Sequence, residues 1–91
     1  MNKEQNIIQE ANGLLARIGF RADQEGTGKY VILNRNGKAI AHGDLMTIYY
    51  CAYYMAQDAI EHPAKYENMN DPLDTNALYQ AGVAMGKQLQ K

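Results

Sequence analysis

The chain has 91 residues, 46% hydrophobic and 21% charged, with nine basic against ten acidic side chains and a formal net charge of −1. That length supports one domain over residues 1–91 with a single core, and leaves little room for an enclosed catalytic cleft beside it. Near-neutral charge argues against a protein held to nucleic acid or an anionic membrane by bulk charge, and the composition argues against wholesale disorder.

Residues 3–18 place Ile7, Ile8, Ala11, Leu14, Leu15 and Ile18 at steps of three and four, one stripe of an amphipathic helix. Gly19 falls where a left-handed residue closes such a helix, with Phe20 folding back on the last turn. Residues 21–28 read as a polar, glycine-containing link. Residues 29–34 and 38–42, rich in β-branched and apolar side chains, flank Arg35-Asn36-Gly37 and predict a β-hairpin. Two registers compete: a type I′ turn at Asn36-Gly37 pairing Leu33 with Ile40, and a type I turn over 34–37 with a glycine bulge pairing Ile32 with Ile40. A one-residue slip exchanges the faces, so the inner face stays open.

Asp44 is placed to cap a second helix that runs to about Glu61, where Pro63 stops it. Residues 64–70 read as a linker that can hold a helical turn. Asp71, Pro72 and Asp74 then supply a cap, a first-position proline and a first-turn carboxylate for a third helix through Leu78, Ala81, Met85 and Leu89. The expected fold is therefore α+β, in the order α-β-β-α-α, with a two-stranded antiparallel hairpin packed against helices. A two-stranded sheet is marginal by itself, so helices must cover one of its faces.

The second helix carries Tyr49, Tyr50, Tyr53 and Tyr54, four of the seven tyrosines, in a chain with no tryptophan. At about 100° per residue, Leu45, Ile48, Ala52, Met55, Ala56 and Ala59 form its core stripe. Tyr49, Tyr53, Met46 and Ile60 lie on one flank, and Tyr50 and Tyr54 on the far side among polar residues. Two readings follow: a helix buried nearly all round with hydroxyls at its rim, or a patch of Met46, Tyr50, Tyr53 and Tyr54 that anchors a partner or a second copy of the chain. In the third helix Gly82 and Gly86 have small-xxx-small spacing. Each glycine costs a helix about 1 kcal/mol, which points to close approach of another helix.

No motif carries catalytic chemistry. Gly26-Thr27-Gly28-Lys29 lacks the first glycine, the Ser/Thr and the preceding strand of a phosphate loop. His42 and His62 stand isolated, the Asn68–Asp74 stretch lacks the glycine and glutamate of a calcium loop, and Cys51 has no base nearby. No cofactor, metal or enzymatic activity is expected. Arg21, Lys29, Arg35 and Lys38 concentrate positive charge around the hairpin, which suits phosphates, RNA or an acidic protein surface, or merely protects the sheet edges. One cysteine, no apolar leader after Met1-Asn2-Lys3 and no run near the roughly 18 apolar residues of a membrane span fit a reducing, cytoplasmic location.

By its size, element order, lack of catalytic motif and aromatic-rich surface, the chain resembles the small inhibitors that bacteriophages encode against host defence. The nearest likeness is to anti-CRISPR proteins that bind type I RNA-guided surveillance complexes. The resemblance implies a non-enzymatic, stoichiometric protein inhibitor that blocks nucleic-acid recognition in the host cytoplasm, and it assigns no individual residue. Two other classes stand beside it: a homo-oligomeric accessory protein using the tyrosine helix and the Gly82/Gly86 face, and a small nucleic-acid-binding protein using the basic hairpin.

Overall fold

Helix α1 spans Lys3–Ala16 in the computed structural model of the chain, which describes residues 3–89 and, at the C-terminal end, side chains as far as Gly86. The apolar position predicted at Leu89 lies outside the described side chains. The rest of the order is β1 (Arg21–Gly26), β2 (Lys29–Leu33), β3 (Ala39–Gly43), α2 (Leu45–Glu61), a 3-10 turn at Pro63–Tyr66 and α3 (Thr75–Leu89). The described residues form a small α+β domain with three α-helices and a three-stranded antiparallel sheet in the order β1-β2-β3.

α1 ends as its sequence requires. The Phe20 amide donates to the Leu15 carbonyl at 3.0 Å and the Gly19 amide to the Ala16 carbonyl at 3.2 Å, with Gly19 at φ 77°. This is the paired 6→1 and 5→2 pattern of a Schellman cap, and it delivers Phe20 into the core beside Leu15.

The expected two-stranded hairpin is corrected to three strands. Residues 21–26 form β1, which pairs Ala22 with Ile32 and Asp23 with Val31. The segment read as a link because its composition is polar: Ala22 is its one buried residue. Tertiary contacts make it a strand. On its outer edge Asn12 of α1 accepts from the Ala22 amide at 2.8 Å and donates to the Ala22 carbonyl at 3.1 Å, so one side-chain amide stands in for a neighbouring strand. Two steps on, the Asp23 carboxylate accepts from the Gln24 amide at 2.9 Å, satisfying another edge donor.

The β2–β3 turn follows the type I reading, with Gly37 at φ 83° donating to the Asn34 carbonyl at 2.9 Å. Asn36 has no positive φ, which excludes the type I′ alternative. Neither expected pairing of Ile40 forms, however. Leu33 pairs with Ala39 and Ile32 with Ala41, which leaves Ile40 in a bulge. Ile40 and Ala41 are both buried in the core, an arrangement strict alternation would forbid.

Asn34 is buried and fully bonded. Its oxygen accepts from the Asn36 and Lys38 amides at 2.9 Å each, and its nitrogen donates to the Met69 carbonyl at 2.8 Å and to Asn70 Oδ1 at 3.0 Å. It thereby ties the hairpin to the linker before α3. That linker corrects a second expectation. Pro72 does not open α3; the Leu73 amide instead donates to the bulged Ile40 carbonyl at 2.8 Å, and Asp74, accepting from the Ala77 amide, caps a helix that begins at Thr75.

The inner sheet face, with Tyr30, Ile32, Ile40 and Ala41, meets Ala11 and Leu15 of α1 and Leu45, Ile48, Ala52 and Met55 of α2. α2 packs against α1, α3, the 3-10 turn and strands β2 and β3. No described helix is long and apolar enough to cross a membrane.

Candidate functional site: an aromatic ridge on the central helix

Asp44 starts α2 with extended backbone, and its carboxylate accepts from the Thr47 amide at 2.8 Å. That hydrogen bond, first from the Thr47 backbone, holds the Asp44 carboxyl below its usual range. The cap fixes the phase of the helix: Ile48, Ala52 and Met55 are fully buried, and the opposite side presents Met46, Tyr49, Tyr53 and Ile60.

Met46 is 43% exposed and Ile60 is 69% exposed, so large apolar side chains stand open near both ends of the helix. At 1.5 Å per residue the two are roughly 21 Å apart along the axis. Between them Tyr53 lies 6.4 Å from Tyr49, Tyr49 packs edge-on against Tyr50 at 5.2 Å, and Tyr50 packs edge-on against Tyr79 of α3 at 5.8 Å. All four rings are half-buried and fall within the range of favourable aromatic pairs. The result is a line of rings that runs along α2 and crosses onto α3.

The hydroxyls differ. Tyr49 donates to Glu10 Oε2 of α1 at 2.7 Å, and its pKa is pushed up to about 12, by burial first and by the Glu10 carboxylate second. The hydroxyls of Tyr50 and Tyr53 have no hydrogen-bond partner among the described residues.

The four expected anchors separate. Met46 and Tyr53 lie on the ridge. Tyr50 lies at the ridge's α3 edge, which corrects its expected place on a far side among polar residues: α3 crosses directly over its backbone, and a methyl group at Gly82 would overlap the Tyr50 carbonyl. Gly86 sits nearby, where an added methyl would meet the Tyr50 ring at 3.5 Å. Tyr54 is turned away. It packs against the core and lines an open cleft with Asp58, Glu61, His62 and Lys65 on the flank held by the 3-10 turn. Helical angles set Tyr50 and Tyr54 together on the far side, but α3 covers the backbone of the first and the second packs on the core, because angles carry no information on where α3 and the 3-10 turn lie.

In that second cleft Asp58 organises the chain. Burial opposes its ionisation, but hydrogen bonds from Lys65 and Tyr66, both at 2.7 Å, outweigh it and keep its carboxyl below the usual range. The buried Tyr66 hydroxyl is shifted upward by burial and by Asp58. The group locks the 3-10 turn to α2. Cys51, fully buried, donates to the Thr75 carbonyl at 3.4 Å, and burial raises its thiol to about 12, which makes it unreactive.

The basic residues divide as well. Arg21 opposes Leu33, so it lies at the end of the sheet that carries the 34–38 turn with Arg35 and Lys38. Lys29 begins β2 at the other end, four strand steps or about 13 Å from Leu33. His42 faces Glu25 at 3.1 Å, bridging β3 and β1 across the outer sheet face. Tyr49, Tyr79, Ile60 and Arg17 were not among the expected contact residues. Tyr49 and Ile60 had a signal in their shared helical flank with Met46 and Tyr53, and Tyr79 in its place one helical turn before Gly82.

Compared with protein-family models, with curated proteins and with solved structures, the chain finds no match.

Proposed function

We propose that the protein is a non-enzymatic binding protein that acts by stoichiometric contact, docking the α2 ridge onto a surface of a larger macromolecular assembly. What carries the reading is the outward side of α2: Met46 and Ile60 exposed near its two ends, with tyrosine rings between them whose hydroxyls at 50 and 53 are free to bond a partner. Tyrosine contributes large contact area at low ordering cost and methionine a surface that adapts its shape, and rings already packed against their neighbours lose little further freedom on binding.

In its specific form the proposal is an anti-defence inhibitor of the anti-CRISPR kind, directed at a type I RNA-guided surveillance complex. The fold supports a rigid plug: a central helix packed against two helices and the sheet, with Met46 and Ile60 left exposed. The test expresses the protein in cells whose type I complex blocks phage plaquing, beside a Met46→Ser/Tyr53→Ala double variant. Wild type should restore plaquing, and the double variant should remain folded yet fail. No restoration by wild type against a panel of type I complexes removes the anti-defence reading. A stable dimer by light scattering, lost in the double variant, would reassign the ridge to self-association.

A further inference from the structure

A groove of about 160 Å³ lies at the C-terminal end of α2, lined by Ala59, Ile60 and Pro63 and by two arginines, Arg17 just after α1 and Arg35 from the hairpin turn. No carboxylate lines it, and neither arginine has an ion-pair partner among the described residues. In a chain of net charge −1 this is a local concentration of positive charge beside the most exposed large apolar side chain described.

Arg35 is held in place before anything binds. Its Nε donates to the Ile18 carbonyl at 2.9 Å, and its stem lies against Gly19, where an added Cβ would approach Cγ and Nε to 3.1 Å. The fixed Nε leaves the two terminal amino groups as donors with no acceptor among the described residues. A guanidinium whose side-chain freedom is already spent in folding binds an anion at lower entropic cost than a free lysine does.

We propose that this groove takes an acidic peptide segment of a protein partner, with an aspartate or glutamate carboxylate on Arg17 and Arg35 and a neighbouring aliphatic side chain on Ile60, Ala59 and Pro63. Carboxylates match the planar fork of arginine, and the apolar floor requires a ligand that carries an aliphatic group within a residue or two of its charge. A nucleic-acid backbone meets only the first condition. Arg21 and Lys38 lie at the same end of the sheet as Arg35, so charge by itself does not separate the two ligands, and the apolar floor is what favours the peptide. The inference does not depend on the tyrosine ridge, which touches the groove only at Ile60.

The test is fluorescence anisotropy on the purified protein with a short labelled peptide in which two aspartates flank a leucine among glycines and serines. Matched probes carry lysines for the aspartates or serine for the leucine, and oligouridine serves as the phosphate probe. Saturable binding of the Asp-Leu-Asp peptide is expected, weakened about tenfold by Arg17→Gln and by Ile60→Ser and unchanged by Tyr53→Ala. Both altered peptides should bind at least about tenfold more weakly than the parent. Arg17 and Ile60 are exposed, so both variants should keep the wild-type circular dichroism. Absence of saturable binding overturns the proposal. So does oligouridine binding that is as tight and indifferent to Ile60→Ser, or peptide binding that neither variant weakens.

Discussion

Gly82→Ala isolates the contact on which the position of α3 depends. Alanine is the better helix former, so in an open helix the change would stabilise by about 1 kcal/mol. Here the new methyl would overlap the Tyr50 carbonyl oxygen, lie 2.8 Å from its carbon and 3.1 Å from the Tyr50 Cβ. The first two atoms belong to the backbone of a helix packed against α1 and α3, so no rotamer change relieves them. α3 must move off, and its packing on α2 is its main attachment to the domain. Overpacking typically costs about 1–3 kcal/mol, and a backbone overlap belongs at the upper end. Subtracting the propensity gain leaves a net loss of about 2 kcal/mol. For a domain of this size that lowers Tm by roughly 8–16 °C. Urea unfolding followed by circular dichroism should show a lower midpoint with an unchanged slope. Two companion variants separate contact from propensity. A methyl at Gly86 meets the Tyr50 ring at an ordinary 3.5 Å and one at Gly13 of α1 meets nothing within 4 Å, so Gly86→Ala and Gly13→Ala should each stabilise by about 0.5–1 kcal/mol. If Gly82→Ala raises the midpoint as they do, the close α2–α3 crossing is wrong.

Asn34→Ala should cost about 3 kcal/mol by denaturant titration, because it strands the Asn36 and Lys38 amides and the Met69 carbonyl together; a loss below about 1 kcal/mol would mean that water replaces the side chain freely. Tyr49 should titrate late by tyrosinate absorbance, near pH 12 rather than 10. A folded-state pKa raised above the unfolded one favours the protonated form, so the Tyr49 contribution to stability is complete below pH 10 and is lost as pH climbs through about 12. Glu10→Gln should move that titration back toward 10, and an unchanged titration would show that Glu10 contributes nothing to it. Cys51 should resist a thiol reagent in the native protein and react at the rate of unfolding, since it is fully buried with a raised thiol pKa. Rapid labelling without unfolding would place it at the surface.

Local chemistry wrote much of this fold into the sequence. The stripe of α1, its glycine stop and backfolded Phe20, the Asp44 cap and the presence of a turn ending at Gly37 each depend on atoms a few residues apart, so each was readable without knowing the rest, whereas the type and register of that turn were not. The core stripe of α2 was readable for the same reason. What spacing could not supply was the identity of the neighbours. β1 buries one alanine and is a strand because β2 pairs with it and Asn12 closes its edge, ten residues away in sequence. Ile40 bulges while the Leu73 amide reaches its carbonyl from more than thirty residues on. The candidate site follows the same division. Sequence placed Met46, Tyr50, Tyr53 and Tyr54 on one helix and gave their angles. Only the crossing of α3 at Gly82 decided that Tyr50 is covered along its backbone, and only the 3-10 turn decided that Tyr54 faces a different cleft. Arg17 and Arg35, 18 positions apart, meet beside Ile60 because the Ile18 carbonyl holds the Arg35 side chain. Directions along one helix are a local property of the chain, whereas burial depends on what else arrives, and that is settled by the packing of the whole domain.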